Sequence, residues 1–193
     1  MPKAASLHTE RLVIRQPGPD EAQAVVDYYV RNRAHLAPWE PRRDADFFTE
    51  AWWRPRLEAD LREFAEDVSA RFFAFAHDAP ALAVGACDLN NIVRGAFQAC
   101  YLGYSMDGAS QGRGLGAEAV AAVVDCGFQT LGLHRIMANY QPDNERSARL
   151  LASLGFVVEG RAQEYLLLGG RWSDHVLTAT TAPDWLDQWE PQK

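Results

Sequence analysis

The residues with the clearest chemical capacity are Gln111-Gly112-Arg113-Gly114-Leu115-Gly116-Ala117, which follow the apolar run Tyr101–Met106 and open a helical pattern. Glycines at such a turn let the backbone approach a ligand closely, with no Cβ in the way. The first N–H groups of a helix have no intrahelical acceptor, and the helix dipole adds partial positive charge beside them. The product is an anion site sized for a phosphate or pyrophosphate, to which Arg113 adds a charge-assisted contact. A nucleotide-hydrolysing P-loop needs Gly-Lys-Ser/Thr, whereas Gly114 is followed by Leu115. A dinucleotide fold needs GxGxxG and an acidic residue at the end of the next strand. This chain offers Gly112-x-Gly114-x-Gly116, and Asn139 near that strand's end.

The elements around this turn follow from periodicity and breakers. Leu12-Val13-Ile14 reads as a first strand, stopped by Pro17-Gly18-Pro19. A helix with a Val25, Tyr28, Tyr29 and Leu36 stripe runs into Pro38-Trp39-Glu40-Pro41, whose prolines disfavour helix at the residues before them. A second helix spans about Asp46 to Val68, and its pairs Phe47-Phe48 and Trp52-Trp53 read as core rather than a binding platform. Phe72–Ala76 and Leu82–Cys87 form a hairpin, and Phe97–Met106 is a third strand of that group. The glycine turn starts a helix. A strand over Arg135–Tyr140, a helix over Asn144–Leu154 and two strands joined at Gly169-Gly170 complete the order β-α-α-β-β-β-α-β-α-β-β. This predicts a single mixed α/β (α+β) domain over residues 7–185, with a mostly antiparallel sheet of about seven strands flanked by four helices, and a tail from 186 to 193.

Composition narrows the function classes. The net charge of −7 over 193 residues argues against nucleic-acid binding as the main activity and suits a cationic acceptor. No apolar stretch is long enough for a signal peptide after Met1-Pro2-Lys3 or for a membrane span. Cys87, Cys100 and Cys126 stand singly in apolar runs and read as reduced structural thiols of a cytoplasmic protein. There is neither HExxH nor CxxC, so no metal site is expected. His134, Asp174 and His175 read as strand residues with structural partners.

Gln111-x-x-Gly114-x-Gly116 resembles the coenzyme A pyrophosphate turn of the GNAT acetyltransferases. Asn144-Glu145-Arg146-Ser147 with Leu154-Gly155-Phe156 looks like that family's later helix. Within the family, Pro38-Trp39-Glu40-Pro41, Val93-Arg94-Gly95-Ala96-Phe97, Tyr101-Leu102-Gly103-Tyr104-Ser105, His134–Tyr140 and Asp174–Ala179 are similar to the Rim group of ribosomal-protein-alanine N-acetyltransferases. The similarity spans about Leu7 to Trp185 and departs in the N-terminus, the second helix and the tail Asp187–Lys193.

The resemblance implies acetyl-CoA as acetyl donor, held by Gln111, Gly112, Arg113, Gly114, Leu115, Gly116 and Ala117. It implies a backbone N–H among Tyr104, Ser105 and Met106, near a β-bulge, that polarises the acetyl carbonyl. Asn139 and Asn144 would bind pantetheine amides, with Asn144 equally placed as a helix cap. Ser147 would protonate the departing thiolate, or is an ordinary polar residue of a first helical turn. Glu40 is the candidate base or amine-binding carboxylate, or a solvated loop acid. The implied acceptor is the N-terminal α-amine of a ribosomal protein, ending in alanine, with ribosome association. An α-amine titrates near 8 and needs less base assistance than lysine near 10.4. A small amine (antibiotic, polyamine or amino acid) as acceptor, or a ribosome-assembly role without turnover, are the alternatives.

Overall fold

The structure, a computed structural model, describes residues 5–185, so the expected tail at 186–193 lies outside the described residues. Its strands are β1 (Ser6–His8), β2 (Leu12–Arg15), β3 (Ala70–Ala76), β4 (Ala79–Val93), β5 (Ala99–Met106), β6 (Arg135–Met137), β7 (Val157–Leu168) and β8 (Arg171–Thr181). The helices are α1 (Ala22–Leu36), α2 (Glu50–Ala65), α3 (Leu115–Asp125) and α4 (Glu145–Ser153). They form one eight-stranded sheet in the order β1-β2-β3-β4-β5-β6-β8-β7. Only β5 and β6 pair in parallel; the other neighbours are antiparallel.

The strand beyond the expected seven is β1. It pairs Leu7 with Ile14, but three residues with a single large apolar side chain carry no readable alternation. Its pairing is supplied by β2 rather than by its own sequence.

Side-chain alternation divides the core into two layers. On one face, Leu12, Ile14, Phe72, Leu89, Cys100, Leu102 and Met106 pack with α3 and with Leu151 of α4. On the other, Phe73, Phe75, Ala83 and Ala86 pack with Val25, Tyr28, Tyr29 and Leu36 of α1 and with Trp53 and Leu57 of α2. Of the two aromatic pairs expected to be core, one member of each is; Phe48 is only partly buried and Trp52 is exposed. Phe47 and Trp53 are buried, Trp53 stacks on Tyr29 at 5.2 Å, and its indole N–H donates to the Phe47 carbonyl at 2.8 Å. That helix begins later than the periodicity suggests, because Thr49 caps it by accepting the Trp52 N–H.

The sheet is incomplete where it matters. The last parallel pair between β5 and β6 is Tyr101 with Met137. Beyond it β5 continues to Met106 paired with β4 alone, whereas β6 turns away toward α4. The two halves of the sheet therefore part at the residues singled out in the sequence.

Candidate active site

On the α3/α4 face, the glycine turn takes the form its composition demands. Gly112 (φ 74°) and Gly114 (φ 79°) lie in the left-handed region, where a Cβ is strained. Gly114 is the N-cap of α3 and supplies no side-chain cap, so the N–H groups of the first turn face outward for an anion. Arg113 is exposed at the crest of this turn. Gln111–Ala117 thus form a left-handed glycine turn that leads into α3.

The turn is held by residues that sequence reasoning did not single out. The Arg11 guanidinium donates to the Arg113 carbonyl at 2.7 Å and to Glu118 at 2.6 Å. Glu118 also accepts from the Thr9 hydroxyl (2.6 Å) and the Arg11 N–H (2.8 Å). Partial burial raises the Glu118 carboxyl, but these donors outweigh it and leave its pKa lowered. Gln111 is engaged as well: its amide lies 2.8 Å from His35 Nε2 on α1, and its carbonyl accepts from Arg146 of α4. The signals for Arg11 and Glu118 lie about a hundred positions apart in the chain, and no local pattern joins them.

At the parting of β5 and β6, Tyr104 projects onto the α3/α4 face and its phenol lies 2.6 Å from the Ser147 hydroxyl. Burial pushes the Tyr104 pKa up to about 12, with the Ser147 hydrogen bond acting against it. This phenol is protonated at neutral pH, and the two hydroxyls form a proton-donating pair. Asn144 caps α4 by accepting the Ser147 N–H at 3.1 Å, which realises the capping alternative and fixes where Ser147 stands. Asn139 spends both ends of its amide within the protein. Its oxygen accepts from the Thr178 N–H at 3.2 Å, and its nitrogen donates to the Tyr165 hydroxyl at 3.1 Å.

The expected bulge near Tyr104–Met106 is not there. Gly85–Asn90 pair with Tyr101–Met106 without a break, and the register shift falls between Asn90 and Val93. The cause is local: Asn91 takes a left-handed φ of 54°, a conformation asparagine tolerates, so β4 accommodates the extra residue.

The opposite face of β5 presents Tyr101, Gly103 and Ser105 toward the α1/α2 side. Ser105 meets the Tyr28 hydroxyl at 2.9 Å, and Gly103 is exposed. Above it lies the loop carrying Glu40, pinned at several points. The Pro38 carbonyl accepts from Gln141 (3.1 Å), the Glu40 carbonyl from the Gly169 N–H (2.9 Å), and Arg42 donates to the Gly169 carbonyl (3.1 Å). The Glu40 side chain is only 21% exposed and has Arg43 at 3.8 Å. Burial raises its pKa, Arg43 opposes that, and Asp88 on β4 adds to it. Beside it is a cavity of about 240 Å³ lined by Tyr29, Glu40, Pro41, Phe47 and Phe48, large enough for a small side chain and too small for a whole cofactor.

The structure thus gathers Gln111–Ala117, Tyr104, Asn144 and Ser147 on one side of the sheet and places Glu40 on the other. His134, Asp174 and His175 have structural partners, as read: a ring contact with Trp185, the Glu164 N–H with Arg161, and the Ser173 carbonyl. Among the described residues there is no group of three or more potential metal ligands, and no helix is long and apolar enough to cross a membrane.

This arrangement has known counterparts. Residues 11–157 match the family model described as an acetyltransferase (GNAT) domain. The chain is 46% identical over 179 residues to the [ribosomal protein uS5]-alanine N-acetyltransferase of Escherichia coli (strain K12), covering 93% of this chain and 92% of that one. Among solved structures, ribosomal-protein-S5-alanine acetyltransferase from Vibrio fischeri superposes with a TM-score of 0.90 at 38% identity, covering 97% of this chain and 100% of the other. Mycobacterium smegmatis RimJ in complex with CoA-disulfide gives 0.83 at 28% identity, over 94% and 88% of the two chains.

Proposed function

The chain belongs to the GNAT acetyltransferase family, and we propose that it transfers the acetyl group of acetyl-CoA directly to the N-terminal alanine α-amine of a ribosomal protein. It is an acetyl-CoA-dependent N-acetyltransferase. The observation that carries the choice of acceptor is its similarity, over nearly the full length of both chains, to the Escherichia coli alanine N-acetyltransferase.

Acetyl-CoA supplies the activated thioester. Gln111–Ala117 hold its pyrophosphate through the outward N–H groups of the α3 first turn and Arg113, and Asn144 flanks the pantetheine path, whereas the Asn139 amide is taken up by Thr178 and Tyr165. The unpaired edge of Tyr104–Met106 offers backbone N–H groups to the acetyl oxygen, where a preorganised donor stabilises developing negative charge. Ser147, backed by the protonated Tyr104, gives its proton to the leaving sulfur on the donor face. Glu40 receives the cationic amine on the acceptor face, where its reluctance to remain charged without a partner favours pairing with an ammonium or accepting a proton from it.

The proposed partner is a protein terminus, met on or beside the ribosome, and the net charge of −7 argues against nucleic acid as the main partner. Three free, buried cysteines suit the reducing cytoplasm. The test uses a peptide beginning with alanine, the same peptide with its α-amine blocked and a lysine free, and a panel of small amines. Acetylation of the first alone is expected. Efficient acetylation of the blocked peptide or of a small amine overturns the acceptor assignment.

A further inference from the structure

The arginines of this chain divide into two groups. All except Arg33, Arg42, Arg113, Arg146 and Arg171 form an ion pair with a carboxylate of the described residues. With carboxylates in excess and a net charge of −7, such pairing is the ordinary state of a cation here. A guanidinium without an acidic partner, held at a concave site, is free to take an anion from outside. Arg113 and Arg146 belong to the cofactor side, Arg113 at the crest of the glycine turn and Arg146 donating to the Gln111 carbonyl. Arg33 and Arg42 are on the acceptor side, where both line the cavity beside Glu40. Arg171 is exposed at the β7–β8 turn and does not line that cavity.

The charges around this cavity do not balance. Arg33, Arg42 and Arg43 line it against the single carboxylate of Glu40, which lies 3.8 Å from Arg43. Asp44 and Asp46 follow in the chain but do not line it. The guanidiniums are also held in place. Arg33 sits over the Phe48 ring at 4.5 Å, and Arg43 over the Phe47 ring at 4.6 Å. A guanidinium carries its donors in its own plane, so one seated by its face on an aromatic ring keeps its edge for a carboxylate. Arg42 donates by Nε to the Gly169 carbonyl at 3.1 Å, which leaves its terminal nitrogens. Side chains fixed in this way lose less freedom when an anion binds.

We propose that Arg33 and Arg42 form a subsite for an acidic side chain at one of positions two to four of the acceptor. Glu40 then takes the N-terminal ammonium, and these arginines take a carboxylate a few residues behind it. The inference rests on the acetyl-transfer reading above and narrows its substrate to protein termini with an early acidic residue. An extended chain advances about 3.3 Å per residue, so positions two to four lie within about 10 Å of the reacting nitrogen. Residues around one small cavity serve both charges over that range.

The test uses peptides that begin with alanine, are amidated at the C-terminus and carry one glutamate at position two, three or four. Each is compared with the same peptide carrying glutamine there. For wild type, kcat/KM for the best-placed glutamate peptide should exceed that of its glutamine twin by about three- to tenfold, mainly through KM. The ratio should shrink at high salt. Arg33→Gln and Arg42→Gln should each bring it toward one, and either serves where the other folds poorly. Arg33→Glu should invert the preference in favour of lysine at the same position. Because the ratio is taken within each variant, a general loss of activity cancels. A wild-type ratio near one at all three positions, or a ratio that survives both Arg33→Gln and Arg42→Gln, overturns the proposal and leaves the acceptor reading standing. If wild type binds acetyl-CoA but acetylates none of the peptides, the acceptor reading itself fails, and the subsite with it.

Discussion

Glu40 holds a charge that the fold disfavours, which makes its functional and structural effects separable. A carboxyl whose pKa is raised on folding binds its proton more tightly in the native state than in the unfolded one. Stability therefore falls as pH climbs from the ordinary 4.5 through the raised value. Glu40→Gln removes that cost. It should melt higher than wild type at pH 7, with the difference closing below pH 4.5. The same variant should raise KM for an alanine-ended peptide more than KM for acetyl-CoA, because the lost charge faces the acceptor. A lower melting point at pH 7 with unchanged kinetics would make Glu40 a structural loop acid. Ser147 makes the opposite demand, since its hydroxyl meets Tyr104 at 2.6 Å on the donor face. Ser147→Ala should cut kcat by about ten- to a thousandfold while acetyl-CoA binding stays nearly intact. Adding Tyr104→Phe should cost less than the product of the two single losses if the hydroxyls act as a unit. A kcat within about twofold of wild type leaves the serine with its packing role only.

Among the elements, the glycine turn depends on a tie from Thr9 and Arg11 to Arg113 and to Glu118 in the first turn of α3. Gly114→Ala places a Cβ at φ 79° and 3.3 Å from Arg11 Nη2, so it strains the backbone and presses on the tie. About 1–2 kcal/mol follows from the left-handed conformation, or roughly 2–8 °C of melting temperature for a domain of this size. Acetyl-CoA should stabilise wild type, and Arg113→Glu should remove most of that shift by setting a negative charge at the anion site. An undiminished shift would move the cofactor site elsewhere. Glu118→Gln should melt lower than wild type at neutral pH. Its carboxyl is held below its ordinary value by Thr9 and Arg11, so that penalty should vanish as acid protonates the wild-type side chain. These elements also show what a sequence displays and what it hides. The glycine turn was legible because a left-handed backbone is written in glycines, and the Glu40 loop because prolines write a break. The register shift of β7 between Ala162 and Leu166 was not, since Glu164 adopts its left-handed φ of 46° while its N–H is held by Asp174 of β8. Neither was the Arg11 tie, whose bonds cross from the turn between β1 and β2 to the start of α3, nor β1, which pairs only with β2.

At the scale of the molecule, the proposed donor and acceptor sites lie on opposite faces of the sheet, and the parting of β5 from β6 lies between them. The glycine turn and the Tyr104–Ser147 pair belong to the α3/α4 face; Glu40, beside Tyr29 and Phe47, and Ser105, bonded to Tyr28, belong to the α1/α2 face. A donor and an acceptor reaching the same gap from opposite sides meet without a carrier only when both are bound together. The side chains that could act as a carrier are badly placed for it. Cys87, Cys100 and Cys126 are all buried in the core. Burial pushes the Cys100 thiol up to about 12, and those of Cys87 and Cys126 rise for the same reason. None supplies an appreciable thiolate at neutral pH, and a thiol without its anion is a poor nucleophile. Initial velocities measured against both substrates should therefore give intersecting reciprocal plots, and no acetylated protein should accumulate with acetyl-CoA alone. Replacing each cysteine singly by alanine should keep kcat/KM within about threefold, with the cost appearing as a lower melting temperature from the small cavity left behind. Parallel reciprocal plots together with an acetyl group found on a cysteine by mass spectrometry would overturn direct transfer. The two faces would then have to be served in turn, and the parting of β5 from β6 would be a passage for a carrier side chain, not the meeting place of two substrates.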